Sequence, residues 1–314
     1  MATRATKPRQ PKGRVQHPQR RQAPPRQPRW LYAAAAAGLV AIAVAVALVA
    51  SRGGGSGKAS TGLPETPDYH SLLVSPTDPQ SLLLGTHQGL YASSDGGRTW
   101  RFDALSGNDA MNLARPGSKT IWLAGHQAFK KSTDAGVSWQ DVRPSGLPGL
   151  DIHGFAADPS DQSTLYAAIA GQGLYRSRDG ARSFAAVSKD VGGNVMALAV
   201  MRDGRVLAGD MRQGLLVSRD SGRSWSEVLA AQVMGIAVSP GDPKRVLAAG
   251  DGIALSTDSG RTWRPVLDLP EGAGPVAWAP SDSRIAYAVG FDRMLYRSAD
   301  GGESWQPVGE DTEG

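Results

Sequence analysis

From residue 69 onward the chain alternates apolar runs of about five residues with short polar punctuation. "HSLLVSP", "TDPQ", "SLLLGTH", "QG" and "LYASS" read as strand, turn, strand, turn, strand, and "TWRFDA" opens a fourth run. The same order of events returns downstream as "GIAVSP", "GDPK", "RVLAAG", "DG", "IALST" and "TWRPVL". Apolar runs of this length, bounded by Gly, Pro and Asp, are strand signals rather than helical ones. Residues 30–50, "WLYAAAAAGLVAIAVAVALVA", show the contrary pattern, an unbroken apolar run without a charge. A helix of that length rises about 30 Å, the thickness of a bilayer core.

Four strands and their turns occupy roughly 40 residues, the size of one β-propeller blade. The joint between the third and fourth strands is spelled almost identically each time. It reads "SSDGGRTW" from Ser93, "STDAGVSW" from Ser132, "SRDGARSF" from Ser177, "SRDSGRSW" from Ser218, "STDSGRTW" from Ser256 and "SADGGESW" from Ser298. Its aspartates, Asp95, Asp134, Asp179, Asp220, Asp258 and Asp300, are spaced 39, 45, 41, 38 and 42 residues apart. A short Asp side chain accepts hydrogen bonds from turn N–H groups just downstream, and Gly permits positive φ there. The closing Trp gives the next strand a large apolar body to bury. These aspartates are therefore read as structural staples. The third copy carries Ala181 for the usual Gly and Phe184 for Trp, so blade three is expected to be the least regular.

The octapeptide S-x-D-x-G-x-[ST]-W resembles the Asp-box, or BNR, repeat of sialidases, xyloglucanases, sortilin-type receptors and photosystem II assembly-factor propellers. The resemblance covers residues 69–308 and implies an all-β, six-bladed propeller of four-stranded antiparallel blades. Blades are expected near residues 69–106, 109–146, 150–190, 193–230, 232–270 and 274–309. No spare strand is evident for sealing the ring, unless 61–68 supplies one. The box occurs in enzymes and in binding proteins alike, so it specifies fold more sharply than function.

Charge and composition then narrow the classes. There is no cysteine, which excludes disulfides, thiolate metal sites, cysteine nucleophiles and a cysteine-linked lipid anchor. The net charge of +5 is not spread evenly: residues 1–29 hold nine Lys or Arg and no acid, and removing those nine leaves the rest at −4. A basic groove for nucleic acid is not indicated. The organisation read from the sequence is a disordered basic cytoplasmic tail (1–29), a transmembrane signal-anchor helix (30–50), a flexible Gly/Ser/Pro linker (51–68), the propeller (69–309) and a short tail (310–314). Positive charge before the span holds the N-terminus in the cytoplasm and sends the propeller outside, at the cell membrane.

Antiparallel pairing puts the Asp-boxes on one face of the ring. In the sialidase and receptor relatives the resemblance places ligands on the opposite face, around the channel. The second-to-third strand turns and the starts of the first strands bring His70, His87, His126, His153, Asp210, Arg212, Asp251, Asp292 and Arg293 to that face. Three readings stay open for the histidines: a site for a metal or polar ligand, polar loop residues without a shared role, or hydrogen bonds between blades. No cofactor is required, and a bound cation is compatible with the residue types. Sialidase activity is not expected, because the Arg-Ile-Pro motif of that family does not occur here. Any hydrolase would need two facing carboxylates, for which Asp210, Asp251 and Asp292 are candidates beside Asp109 and Asp151. The reading reached is a membrane-anchored extracytoplasmic propeller that binds or scaffolds a protein or glycan. The alternative is a glycoside hydrolase of the sialidase-like clan acting on an extracellular glycan.

Overall fold

The computed structural model describes residues 60–309 except residue 192. The basic tail, the helix expected at 30–50, most of the linker and the tail from 310 lie outside the described residues. Among those described, no helix is long and apolar enough to cross a membrane.

The first sheet has five strands: β1 (Ser60–Thr61), β2 (Ser71–Val74), β3 (Leu82–Thr86), β4 (Gly89–Ser93) and β5 (Thr99–Ala104). The second comprises β6 (Asn112–Ala114), β7 (Ile121–Gly125), β8 (Ala128–Ser132) and β9 (Gln140–Asp141). The third comprises β10 (Ile152–Ala157), β11 (Leu165–Ile169), β12 (Gly173–Ser177) and β13 (Ala185–Ser188). In the fourth run β14 (Val195–Val200), β15 (Val206–Asp210), β16 (Gly214–Ser218) and β17 (Ser226–Leu229). In the fifth run β18 (Val233–Val238), β19 (Val246–Gly250), β20 (Gly252–Ser256) and β21 (Arg264–Asp268). The sixth holds β22 (Ala273–Trp278), β23 (Ala286–Gly290), β24 (Leu295–Ser298) and β25 (Gln306–Pro307). Every strand pairing is antiparallel and, apart from β1 on β5, sequential, so the protein is a six-bladed propeller of four-stranded blades. Each innermost strand packs on the next, and β22 returns to β2.

The second strand of every blade is buried along its whole length, in β3 as in β7, β11, β15, β19 and β23. Because side chains alternate, such a strand feeds two cores at once. Leu82 and Leu84 point to a cluster shared with the last blade, and Leu83 to one shared with the second. Six clusters result, one between each pair of neighbouring blades.

Ring closure needs no shared strand. Ser60 and Thr61 pair with Trp100 and Thr99 on the outer edge of blade one, so the 61–68 stretch does not complete blade six. Residues 60–68, expected as linker, instead lie against blade one, with Pro64 and Thr66 buried. The seam is closed by side chains: Leu72, Leu84 and Trp100 pack on Tyr287 and Leu295. The Tyr287 hydroxyl donates to Pro79 O at 3.0 Å across it.

The boxes share one hydrogen-bond pattern. In the first, the Ser93 hydroxyl donates to Asp95 Oδ1 (2.8 Å) and accepts from Gly97 N–H (2.9 Å). Asp95 takes the Thr99 N–H (2.9 Å) and hydroxyl (2.6 Å). Box three keeps all of it: Ser177 to Asp179 (2.8 Å), Ala181 N–H to Ser177 (3.0 Å), and both Ser183 donors to Asp179. The expectation that blade three is the least regular is therefore corrected. Ala181 adopts the left-handed conformation its position demands, φ 67°, and its methyl is buried beside Phe184. What the exchange removes is the indole donor that Trp100 gives to Gly97 O at 2.9 Å. Blade two is the slightest, with first and last strands of three and two residues.

Candidate functional site

The face opposite the boxes is built from the second-to-third strand turns and the crossings into each first strand. The six first strands line an axial cavity of about 450 Å³, with His70 at its rim. In blades one to three the crossing ends in an aspartate two residues before the position of His70: Asp68, Asp109 and Asp151. The first two reach the neighbouring turn. Asp68 Oδ1 accepts the His87 N–H (3.3 Å) and Asp109 Oδ2 accepts the His126 N–H (2.9 Å). Asp151 instead reaches back through the backbone to the turn of blade two, where it forms an isolated antiparallel bridge with His126.

These anchors bring the four histidines of the propeller into one row. His70 Nε2 lies 3.0 Å from His87 Nδ1, and His87 Nδ1 is hydrogen-bonded to Asp68 Oδ2. The His87 and His126 rings stack with centroids 5.7 Å apart. His126 Nδ1 meets Asp109 Oδ2 at 2.6 Å, and its Nε2 lies 3.2 Å from His153 Nε2. Asp151 Oδ1 stands 3.3 Å from both of these Nε2 atoms. Three groups of ligand-type atoms follow along the row: Asp68, His70 and His87; His87, Asp109 and His126; His126, Asp151 and His153.

Burial differs along the row. His87 and His126 are open to solvent, whereas Asp109 is buried, and its Oδ1 has no hydrogen-bond partner. Burial lowers the His70 pKa, opposed by Asp68 and Asp109 and reinforced by His87 and His126. Burial thus favours the neutral imidazole at His70, which keeps a lone pair on one ring nitrogen.

The remaining predicted residues do not join the row. Asp210 is buried, and its Oδ1 accepts the N–H groups of Arg212 (2.8 Å) and Gln213 (2.9 Å), capping its own turn. Asp292 does the same for Met294 N–H (3.0 Å) and takes the Tyr296 hydroxyl (2.5 Å). Asp251 and Arg212 lie exposed on their turns, and Arg293 occupies the left-handed position of its turn, φ 66°. Sequence reasoning passed over Asp68 and weighed Asp109 and Asp151 as hydrolase carboxylates only. The signal was present in "PDYHS", "NDAMN" and "LDIHG", where the same offset recurs in three blades.

Fold and boxes together define the class, an Asp-box β-propeller. A family model described as photosynthesis system II assembly factor YCF48 matches residues 70–313, and the chain belongs to that family. The photosystem II assembly lipoprotein Ycf48 of Synechococcus sp. (strain CC9902) is 26% identical over 259 residues, 76% of this chain and 75% of that protein. Among solved structures, a GH74 xyloglucanase from Xanthomonas campestris aligns with TM-score 0.57 at 20% identity, covering 81% of this chain and 47% of the enzyme. The chain thus spans about half of that enzyme. A structure of YCF48 bound to D1 peptide aligns with TM-score 0.51 at 20% identity, covering 80% of this chain and 85% of the other. Both likenesses speak for the fold.

Proposed function

We propose that this protein is a membrane-anchored extracytoplasmic propeller that binds a segment of a partner protein during assembly of a membrane complex. The observation that carries this reading is the row of four histidines and three aspartates on the face opposite the boxes, beside the axial cavity. Membership of an assembly-factor family supports it, as does a relative whose structure holds a peptide. The row offers imidazoles and carboxylates at one edge of a cavity with apolar walls, a combination suited to backbone amides and polar side chains. Residues 30–50 are the proposed anchor, with the tail of residues 1–29 in the cytoplasm.

The glycoside hydrolase alternative rests on the likeness to the xyloglucanase. Against it, Asp210 and Asp292 spend their carboxylates on their own turns, which leaves Asp251 as the exposed acid of that trio. In-cell crosslinking of the full-length chain, followed by identification of the trapped peptides, tests the binding reading. Capture of a defined extracytoplasmic segment, lost with His87→Ala and kept with Asp258→Ala, is the expected result. Glycan turnover by the purified chain without protein capture would replace it with the hydrolase.

A further inference from the structure

We propose that His126, His153 and Asp151 form a mononuclear site for a zinc-class divalent ion, oriented by Asp109 from behind. This inference is independent of which partner the face binds. It starts from a triangle: His126 Nε2 and His153 Nε2 are 3.2 Å apart, and Asp151 Oδ1 is 3.3 Å from each. A tetrahedral ion with bonds of about 2.0–2.1 Å has ligand-to-ligand edges of about 3.3–3.4 Å. Two imidazoles bound through Nε2 at that angle put their centroids about 5.2 Å apart. Here the two rings are 5.1 Å apart and nearly perpendicular.

Proton placement points the same way. The Asp109 carboxylate accepts His126 Nδ1–H at 2.6 Å, which leaves the lone pair of His126 on Nε2, facing the triangle. A carboxylate holding the far nitrogen of a ligating histidine is the usual outer support of zinc sites. Asp109 is itself held by the His126 backbone N–H, and it is buried with 8% of its side chain exposed. At the triangle His126 Nε2 and Asp151 Oδ1 are both acceptors, and a single proton on His153 Nε2 is all they have to share. Asp151 Oδ1 is accordingly buried from solvent without a hydrogen bond despite two nitrogens at ion-pair distance. A cation resolves that conflict, and the exposed sides of His126 and Asp151 leave the fourth position to water. The other two groups fit less well. His87 Nδ1 and Asp68 Oδ2 already satisfy each other, and Asp109 Oδ1 stands 3.8 Å from His87 Nε2.

The test uses the full-length chain in detergent, without a polyhistidine tag, stripped by chelator and titrated with Zn²⁺ or Co²⁺. One ion per chain is expected, with the strong visible absorption of tetrahedral Co²⁺. His153→Ala should abolish binding, and Asp109→Asn should weaken it by about 10–100-fold at the same stoichiometry. His70→Ala should leave affinity within about twofold. Melting curves of the metal-free proteins check folding, and Asp151→Asn provides the same readout should His153→Ala melt early. No binding by the wild-type chain, wild-type affinity in His153→Ala, or loss of binding in His70→Ala would each overturn the site.

Discussion

The two faces of this ring solve the same problem differently. Within each Asp-box the Ser and Asp side chains find their partners two to four residues away, and the Ser–Asp bond is 2.8 Å in all six copies. In the histidine row of the opposite face the partners lie further off: Asp68 reaches 19 residues to His87, and His126 reaches 27 to His153. A local network repeats wherever its letters repeat, because nothing outside the turn has to agree. A network that crosses blades exists only where neighbouring turns present complementary groups, here in blades one to three. The repeated face is the scaffold, and the unrepeated one is free to differ.

Four experiments press on this contrast, from the largest expected effect to the smallest. Trp100 is the most buried aromatic residue of the boxes, 1% exposed, and it packs at the ring seam. Trp100→Ala should cost about 3–5 kcal/mol in chemical denaturation. A loss under half of that would mean the seam is held by something other than this cluster. Gly97→Ala comes next: its φ is 88°, and a Cβ there would stand 2.0 Å from Leu295 Cδ2. Left-handed strain of about 1–2 kcal/mol adds to overpacking of about 1–3 kcal/mol. Ala181 takes the same backbone with its methyl in the cluster of Phe129 and Phe184, where no leucine equivalent to Leu295 stands, so wild-type stability in Gly97→Ala would dissolve that distinction.

Asp258→Ala should destabilise the chain by about 1–2 kcal/mol, the cost of orphaning donors that include Thr262 N–H and hydroxyl. Partner capture by the folded fraction should persist. Full stability with lost capture would assign the boxes to function. His87→Ala, at an exposed site, should shift stability by no more than about 0.5 kcal/mol. The same variant should lose the captured partner. A large stability loss there would make the row a structural strut.

Acid separates the faces in a further way. Burial pushes the Asp134 pKa up, yet the Ser138 hydroxyl and N–H and the Ser132 hydroxyl outweigh it and hold the group at about 2. The hydroxyls of Ser183, Ser224 and Thr262 likewise hold Asp179, Asp220 and Asp258 below the ordinary carboxylate value. A depressed folded pKa contributes stability that is complete above the unfolded value and lost as pH falls through the folded one. For the boxes that window opens below the ordinary 3.8. His70, also depressed, obeys the same sign but from 6.5 downward. Denaturation midpoints should therefore slip slightly just under pH 6.5 and steeply below 3.8. His70→Asn should erase the first step alone, and its survival would place the titrating group elsewhere.

Much of this was legible in the residues. The octapeptide spacing reported six blades because each box closes its own hairpin and needs only its own letters. Register alone put His70, His87, His126 and His153 on one face, since equivalent offsets are related by the rotation of the ring. Asp292 matched that register and Asp210 lay two residues off it, and for both the shared face misled. Their carboxylates turn inward to cap N–H groups two residues on, a choice of rotamer that register does not carry. The tolerance of Ala181 was equally hidden, because it depends on what packs over the turn.

The sequence by itself determined the strand order, the repeat number, the two faces and which chemistry each face carries. All of these follow from alternation along a strand and from bonds spanning a few residues. The tertiary structure alone decided that the ring closes on packed side chains rather than a borrowed strand. It also decided that Asp68, Asp109 and Asp151 knit four histidines into one row. Both outcomes depend on the distance between neighbouring blades. That distance is set by how six two-faced cores pack around an axis, a quantity no single repeat encodes.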